Sequence, residues 1–241
     1  MQADADLLAA FRATGSELAF AEIHARHGAL VLRTCVRALG DRQEAEDAAQ
    51  AAFLMLAQKP TAVQGSLASW LFYAARKTAF VARRSRKRRS LREEKAAAMQ
   101  PTLSFPENNE LREELDAALE RLPDPLREAV LLCHLEGREQ AEAASQAGCS
   151  QATMSRRSSE GLQQLRDILQ RRGMPLGAAG LAAWCAAESA ASPALPSLTA
   201  AQLAAHPQAA ALAQSAWRSL FWAQVKLKVA SALLTATFAG L

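Results

Sequence analysis

The chain has 241 residues, half of them hydrophobic but only 5% aromatic, with 28 Lys plus Arg against 24 Asp plus Glu and a net charge of +4. That length is ample to bury a core, and the composition excludes a disordered tail, a collagen and a disulfide scaffold. Cys35, Cys133, Cys149 and Cys185 form no C-x-x-C pair. Their spacing argues against a stapled secreted fold or a zinc ribbon. Asp4 and Asp6 stand where a signal peptide would be basic, so free thiols in the cytoplasm are expected.

Apolar residues recur at three- and four-residue spacing and β-branched runs are absent, which predicts an all-α chain. Two helices are expected between Asp4 and Leu39, with a break near Thr14–Ser16. Gly40–Asp41 closes that unit. Asp41 caps the next helix, and Glu44 follows at capping-box spacing. This helix runs to about Lys59, with an apolar stripe of Ala45, Ala49, Ala52, Phe53 and Leu56 and an opposite face of Glu46, Asp47 and Gln50. Residues 60–68 form a loop. A helix from about Ser69 then leads through Trp70-Leu71-Phe72-Tyr73 into a basic block, with Phe72 and Phe80 expected in the core. Residues 93–109, which hold Pro101, Pro106 and Asn108–Asn109, read as a linker. A second helical unit spans residues 110–173. Residues 174–241 form a separate extension of 68 residues, 23 of them Ala, punctuated by Pro193, Pro196 and Pro207.

Charge is distributed unevenly: net +6 over residues 1–95, −4 over 96–173 and +2 over 174–241. Nine bases and no acid lie between Arg76 and Arg92. Such a block repels itself unless it meets a polyanion, and nucleic acid is the first candidate. Trp70 and its aromatic neighbours suit stacking on unpaired bases while Arg76, Lys77, Arg83 and Arg84 follow the backbone.

Residues 139–170 have the spacing of a helix-turn-helix. Small Ala144 lets two helices approach, Gly148 suits the left-handed turn, and Met154 anchors the second helix in the core. Ser150 is a good N-cap. The exposed start of that helix carries Gln151, Thr153, Ser155, Arg156 and Arg157, residue types that reach phosphates and base edges in a major groove.

In this order, an acidic helix, an aromatic–basic helix, a linker and a helix-turn-helix resemble the extracytoplasmic-function (ECF) group of the bacterial sigma-70 family. DRQEAEDAAQAAFLML is similar to the region 2.2 helix that binds the β′ clamp helices of RNA polymerase. SLASWLFYAARKTAFVARRSRKRR resembles regions 2.3 and 2.4, which melt and read the −10 element. LDAALERLPDPLREAVLLCHLEG and EAASQAGCSQATMSRRSSEGLQQLRDIL resemble region 4 and its −35-reading helix-turn-helix. The resemblance covers residues 4–172. It implies two small helical domains joined by a flexible linker: region 2 over residues 1–92, a linker over 93–109 and region 4 over 110–173. A helical C-terminal extension over 174–241 follows. It implies polymerase contacts at Glu46, Asp47 and Gln50. It places −10 contacts at Trp70, Arg76, Lys77, Arg83 and Arg84, with Gln64 and Ser66 where the family captures a flipped base. The −35 contacts fall at Ser150, Gln151, Thr153, Ser155, Arg156 and Arg157. Implied partners are core RNA polymerase (β′ clamp helices and β flap), promoter DNA and, for some members, an anti-sigma protein; the implied location is the nucleoid. No catalytic residue, cofactor or metal is implied. Departures from the family pattern fall at Ala51, Lys77, Ala141 and Glu160 and bear on promoter choice.

The extension admits two readings. Residues 220–241 are 22 in number, long enough to cross a bilayer of about 30 Å. Gln224, Lys226 and Lys228 interrupt them, and Trp217, Arg218 and Trp222 would suit an interface anchor. The alternative is a soluble amphipathic helix packed on the sigma domains. Either would restrain the factor in place of a separate anti-sigma protein.

Two rival functions remain at this level. An enzyme or metal site would rest on His24 and His27 with Cys35, or on Cys133–His134, but ligand spacing and a nucleophile or phosphate-loop motif are lacking. A helix-turn-helix regulator acting without polymerase would leave the acidic helix and the Trp70 segment without a task.

Overall fold

The computed structural model describes residues 2–96, 109–174, 181, 184, 195 and 199–219. Among these residues there is no strand, as the apolar spacing predicts. The first unit contains α1 (Asp4–Thr14), α2 (Glu17–Leu39), α3 (Arg42–Gln58), a 3-10 turn at Pro60–Ala62 and α4 (Leu67–Ala96). The second contains α5 (Asn109–Arg121), α6 (Asp124–Val130), a π-helical turn at Leu131–Leu135, α7 (Gln140–Ala147) and α8 (Gln151–Arg171). In the extension, α9 covers Ala200–Ala204 and residues 207–219 are helical.

Local chemistry sets the boundaries. Ser16 caps α2 by accepting from the Ala19 amide at 3.3 Å, and Asp41 caps α3 by accepting from the Glu44 amide at 2.8 Å. Only half of the expected capping box forms, because the Glu44 carboxylate turns to Arg86 at 3.1 Å. The loop before α4 ends at Ser66, whose hydroxyl accepts from the Ser69 amide at 3.3 Å. Arg127 closes the C-terminus of α5. Its guanidinium donates to the Leu119, Glu120 and Leu122 carbonyls, which the helix itself cannot satisfy.

Two apolar cores result. The first is built from α1–α4 around Phe20, Ile23, Phe53, Met55 and Leu71. The second is built from Leu115, Leu119, Val130, Leu131, Met154 and Leu165, and it takes in Leu30, Ala68 and Phe72 from α2 and α4. Three apolar side chains of the first unit thus belong to the core of the second, and the units touch.

Phe72 is fully buried as expected, but Phe80 is not: it is 51% exposed. Phe80 lies eight residues beyond Phe72, which at about 3.6 residues per turn puts it about 80° further round α4, so it faces outward while its neighbour Ala79 stays buried in the first core.

Gly161 marks the closest approach between α6 and α8. A Cβ there would sit 2.7 Å from Val130 Cγ2 and 3.0 Å from the Leu126 carbonyl oxygen. Gly161→Val is therefore expected to cost about 1–3 kcal/mol by overpacking, read as a lower midpoint in urea unfolding. An unchanged midpoint would show that α8 can shift on α6.

Candidate functional site

The acidic face of α3 is partly covered. Glu46 holds Arg42 at 2.9 Å and stays about one-third exposed. Asp47 is half-buried; burial pushes its carboxyl up, His206 pulls it down and Glu46 raises it. The Gln50 side-chain oxygen is buried and has no hydrogen-bond partner among the described residues.

The aromatic–basic face of α4 lies over a cavity of about 740 Å³ lined by Gln64, Trp70, Tyr73, Arg76, Lys77, Phe80, Arg127 and Trp217, among others. Trp70, Arg76 and Lys77 line this cavity together, and the loop of residues 60–66 brings Gln64 to them. Ser66 is turned elsewhere: its amide donates to Asp124 Oδ2 at 2.8 Å and its hydroxyl to Glu128 Oε1 at 2.7 Å.

Several bases of α4 meet acids of α5. Arg76 pairs with Glu120 at 2.6 Å and donates to the Asp116 carbonyl at 2.9 Å, and Arg83 pairs with Glu113. Arg37 of α2 holds Asp116 at 3.0 Å, both side chains buried. Arg84, Lys87 and Arg88 are exposed. The acidic balance of residues 96–173 is thus set against the basic balance of the first unit.

The helix-turn-helix forms as the spacing predicts. Ala144 and Met154 are buried. Gly148 ends α7 at φ 66°, a left-handed conformation that glycine adopts without steric cost. The Ser150 hydroxyl accepts from the Thr153 amide at 3.2 Å and lies 2.8 Å from the Thr153 hydroxyl. Gln151 and Arg156 are exposed, and Thr153, Ser155 and Arg157 are half-buried along the same end of α8. Behind them the π-helical turn directs His134 onto Ser158 at 2.8 Å.

His24 and His27 do not share a site. His24 stacks on Phe53 with ring centroids 4.3 Å apart, and burial lowers its pKa. His27 is buried between Asp4, 2.8 Å from Nε2, and Glu136, 3.3 Å from Nδ1. Gln146 donates to the same Asp4 oxygen at 3.0 Å. Burial works against the His27 cation, but hydrogen bonds and charge from the two carboxylates outweigh it and push the pKa up to about 9. This cluster joins α1, α2 and the second unit. Nothing in the sequence signals it, because His27 and Glu136 are 109 residues apart. Among the described residues no group of three or more His, Cys, Asp or Glu side chains could hold a metal ion.

The extension packs on the first unit. Leu203, Ala209, Ala213 and Ala216 are buried in its core. The Lys59 ammonium lies 4.9 Å from the centre of the Trp217 ring. Among the described residues no helix is long and apolar enough to cross a membrane, and residues 220–241 lie outside them.

Residues 23–89 match the family model for sigma-70 region 2, and residues 112–165 match that for sigma-70 region 4. The chain is 31% identical over 173 residues to the ECF RNA polymerase sigma factor SigE of Mycolicibacterium smegmatis, a match covering 68% of this chain and 67% of that protein. A solved structure of the sigma factor RpoE in complex with the anti-sigma factor NepR from Bartonella quintana is similar at 23% identity and a TM-score of 0.29. That match covers 58% of this chain and 92% of the RpoE chain. An acidic α3, an aromatic–basic α4 and a helix-turn-helix fall inside the two matched segments, and the chain belongs to the ECF group of the sigma-70 family of RNA polymerase sigma factors.

Proposed function

We propose that this sigma factor divides its work between the two units. Residues 1–92 bind core RNA polymerase and open the −10 element, residues 110–173 read the −35 element, and residues 93–109 link them. The observation that carries this reading is the wall formed by Gln64, Trp70, Arg76 and Lys77, where a stacking ring, a hydrogen-bonding amide and two cations converge on one cavity. An unpaired base needs that combination: a flat apolar face beside positive charge for its phosphate. Melting costs about 1.4 kcal/mol per base-pair step, and stacking of roughly 1–3 kcal/mol per base offsets part of it.

Glu46, Asp47 and Gln50 are assigned to the β′ clamp helices, because an acidic helix beside DNA-binding surfaces suits a basic protein rather than DNA. The other unit is assigned to the β flap and, through Ser150, Gln151, Thr153, Ser155, Arg156 and Arg157, to duplex DNA. Neither contact needs to be tight alone: polymerase holds both units at fixed spacing, so each acts at high effective concentration on the same promoter. The polymerase supplies the chemistry and the sigma factor the position. Arg76, Arg83 and Ser66 are held by α5 and α6, so reading the −10 element requires the two units to part.

The test is run-off transcription with core RNA polymerase and genomic fragments. Specific transcripts that depend on the full chain are expected, and they should disappear with Asp47→Lys. Arg156→Ala should retain polymerase binding but weaken promoter binding and lower its salt slope by about one. Undiminished promoter binding by Asp47→Lys, with no transcript from either protein, would favour a regulator that acts without polymerase.

A further inference from the structure

In a four-helix unit an outer helix keeps one stripe in solvent. α3 does not. Its inner stripe, Ala45, Ala49, Ala52, Phe53 and Leu56, faces the core, yet Ala48, Ala51, Leu54 and Met55 are also at most 2% exposed. Successive residues buried around the helix require a second covering element, and the extension supplies it. Leu203 from α9 is wholly buried in the same apolar cluster as α3. Ala209, Ala213 and Ala216, at four- and three-residue spacing, form one buried stripe of the 207–219 helix. Small side chains let that helix lie close.

Polar contacts hold the segment at both ends. The Thr199 side chain and Gln202 form a complete capping box, and the Ala200 amide donates to Glu17 Oε2 at 3.2 Å. At the other end Trp217 stacks under Lys59, the residue that ends α3. Between them His206 faces Asp47 electrostatically. The fit is incomplete where α3 is polar: the Gln50 side-chain oxygen and the Trp217 indole N–H are both buried without a partner among the described residues. A seam with two unsatisfied polar atoms is one that a better-matched surface can displace.

We infer that residues 199–219 and core RNA polymerase bind the outer face of α3 in mutually exclusive fashion. The chain thus carries its own competitor for the polymerase. The inference rests on the assignment of Asp47 and Gln50 to polymerase binding. The chemistry of the segment fits the role: His206 interacts electrostatically with Asp47, and an imidazole there is a lesser version of the basic surface assigned to α3. Because the competent state is the undocked one, the apparent affinity for polymerase is reduced by the fraction of molecules in which the segment is released.

Hydrogen exchange of the full chain with and without core RNA polymerase tests this directly. Residues 43–56 are expected to gain protection while residues 201–219 lose at least tenfold. Protection retained or increased in 201–219 while α3 gains it would overturn the competition and leave the α3 assignment intact. No change in α3 on complex formation would overturn the assignment and the competition with it. Ala213→Glu, placing a carboxylate in the seam, is expected to tighten binding of core polymerase by about tenfold. Equal affinity in a variant with unchanged helical circular dichroism would overturn the inference.

Discussion

Replacing Phe53 by Ala is expected to lower the unfolding free energy by about 3–5 kcal/mol, the usual cost of removing a fully buried phenyl ring. Phe53 is the centre of the first core. It meets Phe20 edge-on with centroids 6.4 Å apart, and Phe20 in turn contacts Phe11 at 5.2 Å. The His24 ring lies against Phe53 at 4.3 Å between centroids. A single truncation therefore loosens α1, α2 and α3 together, and the alanines that surround the ring on α3 cannot collapse into the space. The measurement is urea unfolding followed by circular dichroism, with a lower midpoint and an unchanged slope. Phe80→Ala is the companion measurement. Phe80 is half in solvent, so its removal should shift the midpoint little. Equal shifts for the two variants would show that the first core is not where stability resides.

Stability should also fall by about 3 kcal/mol between pH 6.5 and pH 9, through His27 alone. The folded imidazole has its pKa raised to about 9 against 6.5 for the ordinary value. A group raised in this way contributes fully below pH 6.5 and ceases to contribute as pH climbs through about 9. Deprotonation leaves the Asp4 and Glu136 carboxylates facing each other across a neutral ring, with Arg26 still on Asp4 and Arg138 still on Glu136. Other buried groups contribute smaller changes of both signs across the window. The His24 and His134 pKa values are lowered by burial, so their contribution has the opposite sign and grows slightly as pH rises past the low edge of the window. The Cys35 thiol is pushed up to about 12, chiefly by burial. Asp4 has the opposite sense: burial raises it, but His27, Gln146 and Arg26 bring it below the usual carboxylate range. Its contribution is present above that range and is lost only as pH falls through the lowered value. Unfolding midpoints at pH 6.5, 8 and 9 for the parent and for His27→Gln test this. A parent slope no steeper than that of His27→Gln would assign the pH dependence elsewhere.

Both predictions turn on contacts of different legibility. Phe53 is placed in the core by its own helix, because Ala45, Ala49, Ala52, Phe53 and Leu56 recur at helical spacing along one face of α3. The caps at Asp41 and Ser150 and the left-handed Gly148 are readable for the same reason: donor and acceptor lie within four residues. The helix-turn-helix was therefore legible almost atom by atom. His27 is legible only as a titratable group on a helix, three residues from His24. Its partners come from α1 and from the turn after the π-helical segment, and no local pattern links those positions. Phe80 misleads in the opposite sense: an aromatic ring on a helix reads as core, but Phe80 is turned about 80° from Phe72 and out of the core that still holds Ala79.

The sequence by itself determined the helices, their caps, the helix-turn-helix and the separation of basic from acidic segments, because each depends on chemistry repeated within one or two turns. The tertiary structure decided how those segments are used. It set the acids of α5 against Arg76 and Arg83, turned Ser66 toward Asp124 and Glu128, buried His27 between two carboxylates, and laid residues 199–219 on the outer face of α3. Charge complementarity and the burial of alanine stripes constrain many pairings of such segments equally well. Which pairing forms depends on the simultaneous fit of all the helices, and that fit is a property of the packed chain, not of any stretch within it.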